Sequence, residues 1–131
     1  MTPDILAAIE WAARSSKDST AHFGEVVQAL VAVGVERYHA DYSANSTTYY
    51  LPSGESHRIA LPPPDIDIAA SFDAPAIVAA IRAAQRGEIM YPRFMGLSRA
   101  AGCVGYTVWI AGRHVSYFGR RGETHIEHFP N

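Results

Sequence analysis

The feature that most constrains this chain is that it repeats itself. Shifted by 68 residues, Phe23–Arg58 lies on Tyr91–Ile126 without a gap. Seven positions are identical: Ala32/Ala100, Gly34/Gly102, Tyr38/Tyr106, Tyr49/Tyr117, Gly54/Gly122, Glu55/Glu123 and His57/His125. Phe23/Tyr91, Tyr50/Phe118 and Ser56/Thr124 are close substitutions. Chance gives roughly two identities over such a span at ordinary residue usage. The matches fall on turn glycines, aromatics and one charged motif, which are not the commonest residues. Ahead of each copy, Ile5-Leu6-Ala7-Ala8-Ile9 resembles Ile77-Val78-Ala79-Ala80-Ile81, so a first helix is duplicated as well. A unit of roughly 60 residues folds alone only marginally. The two copies are therefore expected to share one core across a pseudo-twofold axis. That makes residues 1–131 a single domain, with repeat 1 at about 2–61, a linker at about 61–70 and repeat 2 at about 71–129.

Each unit reads as α-α-β-β-β. Thr2-Pro3-Asp4 supplies a hydroxyl cap, a first-turn proline and an acid at the positive end of the helix dipole. Ile5, Ala8, Ile9 and Ala12 make an apolar stripe, and the polar run from Ser15 to Thr20 is expected to break it. A second helix spans about Ala21 to Val33 and ends at Gly34. In the second copy Asp73 caps, Gly87 closes the first helix, Pro92 opens the next and Gly102 ends it. Tyr38, Ala40 and Tyr42 alternate, as do Tyr106, Val108 and Ile110, which is strand period. Return strands at Thr47–Leu51 and His114–Gly119 and third strands from Glu55 and Glu123 complete two antiparallel meanders packed by helices, an α+β fold. Ile66–Ala70 is expected to add a short edge strand.

Hydrophobic residues are 48% of the chain and charged residues 18%, a composition that builds a core and excludes disorder. Net charge is −2, which gives no electrostatic case for nucleic acid or for an anionic membrane. No apolar run approaches the length that spans a bilayer, so no membrane partner is expected. The opening residues are acidic where a leader would be basic, making a bacterial cytoplasm the expected compartment. The single cysteine, Cys103, lies between Gly102 and Val104 and is expected to pack inertly. Charge is lopsided. Residues 1–67 hold nine acids and four bases, and the remainder four acids and seven bases, which suggests complementary charge between copies or protomers.

The stretches Ala32-Val33-Gly34-Val35-Glu36-Arg37-Tyr38, Tyr49-Tyr50 and Ser53-Gly54-Glu55-Ser56 resemble a family of small bacterial and prophage proteins. These are called YbcV-like and are often labelled "phage envelope protein". Phe72-Asp73, Ile77 to Arg82, Gln85, Gly87, Tyr91-Pro92 and Ala100 to Val108 fit the same pattern, so the similarity spans nearly the whole chain. Met90 departs from the polar cap that such proteins usually carry before Tyr-Pro. The resemblance implies a bacterial or prophage origin and brings no activity, cofactor or site residue with it.

The candidate chemistry is the repeated Glu-x-His: Glu55 with His57 and Glu123 with His125. On a strand, residues two apart share a face. A Glu beside a His can share a proton or hold a divalent metal. If the pseudo-axis brings the copies together, these four residues form one catalytic or metal cluster, extended by Glu127. The bland reading is a solvated edge in which each Glu bonds turn amides. Parity is an objection to a shared site: Ile59 shares a face with His57, whereas Ile126 lies opposite His125. With both isoleucines in the core, the two histidines could not occupy equivalent environments. Tyr49-Tyr50 and Tyr117-Phe118 place one ring on each sheet face, and the outer set is a candidate pocket or interface. Arg113, Arg120 and Arg121 would make an anion patch only if successive turns reached the same end. His22, His39, His114 and His128 read as local polar surface. Phosphate-cradling loops, nucleophile elbows, zinc-protease motifs and dinucleotide fingerprints are absent, and no cofactor is implied. The expected function is a non-catalytic binding or interaction protein, with a protein partner or small ligand and room for a homodimer. A small-molecule or metal-dependent enzyme using Glu55, His57, Glu123 and His125 is the alternative. Single-strand nucleic acid binding through the second copy is a third reading, which predicts strongly salt-dependent affinity.

Overall fold

The computed structural model describes residues 1–130. Its helices begin and end on the signals expected of them. Helix α1 (Pro3–Lys17) starts where the Thr2 hydroxyl accepts from the Ile5 amide at 3.3 Å. The polar run from Ser15 to Thr20 ends it, with Asp18 as the C-cap and Ser19 at φ +59°. The Ser15 and Ser16 hydroxyls donate back to the carbonyls of Trp11 and Ala12, so the helix absorbs both and continues to Lys17. Helix α2 (Phe23–Ala32) is entered through His22, whose amide donates to the Glu25 carboxylate at 2.9 Å. Helix α3 (Ala74–Gln85) is capped by Asp73, which accepts from the Ala76 amide at 3.1 Å. Helix α4 (Tyr91–Ala100) has Pro92 in its first turn and no side-chain cap from Met90. After α2, the Gly34 amide donates to Val31 and the Val35 amide to Leu30, both at 3.0 Å, and Gly34 takes φ +83°. Gly87 and Glu88 close α3 by the same pair of bonds.

The strands are β1 (Arg37–Asp41), β2 (Ser46–Tyr50), β3 (Ser56–Ala60), β4 (Cys103–Trp109), β5 (His114–Gly119) and β6 (Thr124–His128). All six form one antiparallel sheet in the order β3-β2-β1-β4-β5-β6. Two meanders therefore meet through their first strands. At the centre of that seam His39 lies opposite Thr107, and their Nδ1 and Oγ1 are 2.8 Å apart. Gly105 permits the approach: a Cβ there would stand 2.3 Å from the Ala40 carbonyl oxygen, and β4 is bulged at this point.

Ile66–Ala70 does not form the expected edge strand. Its segment runs beside the end of α4 instead, where the Ala69 amide donates to the Arg99 carbonyl at 2.9 Å and the Asp73 amide to Ala101 at 2.8 Å. The unpaired carbonyls of a helix C-terminus took the bonds that a sheet edge would have offered.

Strand alternation gives the sheet two unlike faces. Tyr38, Ala40, Thr47, Tyr49, Tyr106, Val108, Val115 and Tyr117 share one face and are buried. The helices supply Ile9, Leu30 and Ile77, all at 0% exposure, to the same core. The opposite face carries His39, Tyr50, Thr107, Trp109 and Phe118, of which Trp109 is exposed. The expected charge complementarity between the two halves is not seen. Each ion pair among the described residues, such as Met1 ammonium with Glu55 or Arg82 with Glu127, lies within one half.

Candidate functional site

Between the helices and the buried sheet face lies a cleft of about 850 Å³, a size that accommodates a small molecule. Its floor is built from Tyr38, Tyr49, Tyr106 and Tyr117 with Val108 and Val115. Val26 of α2, Ile81 of α3 and Phe94 and Met95 of α4 form the roof. Arg14, Lys17, His22, Arg86 and Glu127 stand among the polar residues that line it. The four floor tyrosines form two pairs, one in each meander. Tyr38 stacks on Tyr49 at 5.3 Å between centroids, and Tyr106 packs on Tyr117 at 5.6 Å. Cross-strand register produces this, because Tyr38 faces Tyr49 and Tyr106 faces Tyr117.

The phenols set the chemistry of this floor. Burial pushes the hydroxyls of Tyr38, Tyr49, Tyr106 and Tyr117 well above their ordinary value, with charge on neighbouring groups adding to the shift. Burial also raises Tyr91, to about 12, against its bond from Tyr106. All are neutral donors near neutral pH. The Tyr106 hydroxyl donates to Tyr91 at 2.7 Å. Those of Tyr38, Tyr49 and Tyr117 have no hydrogen-bond partner among the described residues. The cleft is thus apolar with a few unspent donors, the composition of a binding pocket.

The four Glu-x-His residues do not converge. β3 and β6 are opposite edges of the sheet, so four strands separate His57 from His125, roughly 24 Å at the usual strand spacing. No group of three or more His, Cys, Asp or Glu able to hold a metal occurs among the described residues. The two glutamates serve their turns and termini: Glu123 accepts from the Arg121 amide at 2.8 Å, and Glu55 receives the Met1 ammonium and the Ser53 hydroxyl. The parity objection is also resolved, in an unexpected direction. His57 faces Tyr49 and His125 faces Tyr117, so both histidines lie on the helix-bearing face at equivalent register. Ile126 is the residue that turns outward, 51% exposed. His125 then lies beside Glu127, 3.7 Å from its carboxylate, and Arg82 donates to the same carboxylate at 2.9 Å. Burial raises Glu127, but Arg82 and His125 outweigh it and hold the carboxyl below its ordinary value.

Tyr49 and Tyr117 point to the cleft, and Tyr50 and Phe118 to the other face, where Arg37 covers the Tyr50 ring at 4.2 Å. Arg113 lies at one end of β5 and Arg120 and Arg121 at the other, so no three-arginine patch forms. Cys103 is fully buried, and burial pushes its thiol up, as suits packing rather than attack. Two buried residues are absent from the sequence reading, Phe94 and Arg99. Phe94 had helical spacing to announce it as a core residue. Arg99, buried at 3%, had nothing.

A six-stranded antiparallel sheet with four helices defines a small α+β protein with an apolar, tyrosine-floored cleft. The chain belongs to the family DUF1398, described as proteins of unknown function, whose model matches residues 12–127. It is also similar to an uncharacterized protein of Mycobacterium bovis and to two of Mycobacterium tuberculosis strains, each 36% identical over 59 residues. That match covers 45% of this chain and 36% of the mycobacterial proteins. No helix among the described residues is long and apolar enough to cross a membrane.

Proposed function

We propose that this chain is a non-catalytic binding protein that holds a small, largely apolar ligand with hydrogen-bond acceptors in the cleft between sheet and helices. The observation that carries the reading is the floor of buried, neutral tyrosines, three of them with unspent hydroxyls, under an apolar roof. Apolar contact supplies affinity, and the phenols fix orientation by donating to the ligand. Arg14 and Lys17 make no ion pair among the described residues, which suits a ligand with an anionic end.

The same reading includes an internal duplication with a pseudo-twofold axis through the His39/Thr107 pair. Those residues are 68 apart, the repeat offset, and are direct register partners. Two repeat-related tyrosine pairs then build one floor from both copies. A bacterial or prophage origin accords with the YbcV-like resemblance and adds no chemistry to it.

The test is fluorescence titration with anilinonaphthalene sulfonate, an apolar aromatic anion. Wild type should bind it saturably. Val115→Trp, which fills the cleft from the floor, should weaken binding about tenfold or more without unfolding the chain. Binding unaltered by Val115→Trp would defeat the proposal, as would no binding by a folded wild type.

A further inference from the structure

A buried guanidinium without an acid marks a second site. Arg99, in the last turn of α4, is 3% exposed but pairs with no carboxylate among the described residues. Its Nε has no hydrogen-bond partner, and Nη2 reaches only Asn45 Oδ1, at 3.4 Å. The Tyr42 ring lies 4.6 Å from the guanidinium carbon, which offsets part of the desolvation but offers no acceptor in the guanidinium plane. A cation removed from water with an N–H unmet is costly, so a native structure that keeps one calls for a partner. Arg99 lines a pocket of about 450 Å³ together with Tyr42, Ile66, Asp67, Ile68 and Arg120. Arg120 is held there by donating to the Ile68 carbonyl at 2.7 Å. Asp67 forms no ion pair with either arginine among the described residues. Two guanidiniums against one carboxylate leave a single positive charge, which suits a monoanion better than a dianion. A planar guanidinium edge matches the two oxygens of a carboxylate.

We propose that Arg99 and Arg120 bind the carboxylate of a small organic acid, with Ile66 and Ile68 against its apolar part. The site lies at the end of α4 beside the segment joining the two halves, and it does not depend on the cleft proposal. The experiment is a set of thermal melts of the intact chain with sodium butyrate, against sodium chloride and inorganic phosphate at matched ionic strength. Butyrate should raise the melting temperature saturably beyond chloride. Arg120→Gln should weaken that response about tenfold, as loss of a charged hydrogen bond does. Arg99→Met should abolish it while leaving the ligand-free chain as stable as wild type or more so. Asp67→Asn should strengthen it. If Arg99→Met fails to fold, the less central Arg120→Gln variant decides. The proposal is overturned by no response beyond chloride, by a response to phosphate alone, or by a response that survives Arg120→Gln and Arg99→Met. It is equally overturned if Asp67→Asn lowers stability and shows no butyrate response, since Asp67 would then be the counter-charge of Arg99.

Discussion

At the scale of single residues, two glycines that look alike in the sequence have different reasons to be glycine. Gly34 and Gly102 each follow a helix and take left-handed φ, at +83° and +85°. A Cβ at Gly34 meets nothing within 4 Å, whereas at Gly102 it would stand 2.1 Å from the Ser71 carbonyl oxygen. Gly34→Ala should therefore cost about 1 kcal/mol, the backbone strain alone. Gly102→Ala should cost about 3 kcal/mol or more, because the backbone of residues 71 and 72 must move. Denaturant melts of the two variants check the difference, and equal losses would contradict it. Glu127 gives a second prediction. Its folded carboxyl lies below the ordinary 4.5, so what Arg82 contributes is fully present above that value and is lost as pH falls through the folded one. Arg82 is 45% exposed, so Arg82→Gln should cost less than about 1 kcal/mol at neutral pH, and the gap from wild type should close in acid. A gap that widens in acid would mean the pairing is misassigned.

At the scale of elements, caps, helix stops and strand alternation were legible because each is a local signal. Thr2, Asp73, Gly34 and Gly87 act where they stand. The linker was misread because Ile66–Ala70 has strand composition but bonds to the end of α4, a partner that sequence does not announce. The parity objection lapses at β6 because its condition, a core Ile126, is not met: register with Tyr117 turns His125 inward and Ile126 outward. Side-chain bonding also accounts for the survival of α1 through Ser15 and Ser16. Tyr106 donates to Tyr91 across the gap between β4 and α4. Tyr91→Phe leaves that buried donor unmet and should cost about 1–3 kcal/mol, measurable in the same melts. Its pairing with Tyr106→Phe in a double-mutant cycle should recover part of the loss, and strict additivity would argue against the bond.

At the scale of the molecule, the tyrosines of the floor stand out in the sequence but the cleft does not: the outer rings Tyr50 and Phe118 are the expected pocket, and the inner set lines the cleft instead. Repeat matching picked out Tyr38, Tyr49, Tyr106 and Tyr117, and alternation placed Tyr50 and Phe118 on the other face. What no spacing rule could supply is the order β3-β2-β1-β4-β5-β6. That order sends the two Glu-x-His motifs to opposite edges and brings the tyrosine pairs to one floor. It also left Arg99 invisible, because its burial depends on a segment more than 25 residues away in sequence.

The central claim is that the cleft binds. Methyl-resolved NMR of the chain titrated with anilinonaphthalene sulfonate tests it most directly. The account predicts shifts concentrated at Val26, Ile81, Met95 and Val115, with Ile126 on the outer face unmoved. Shifts centred on Ile126, or none at the cleft methyls while dye binds, would contradict it.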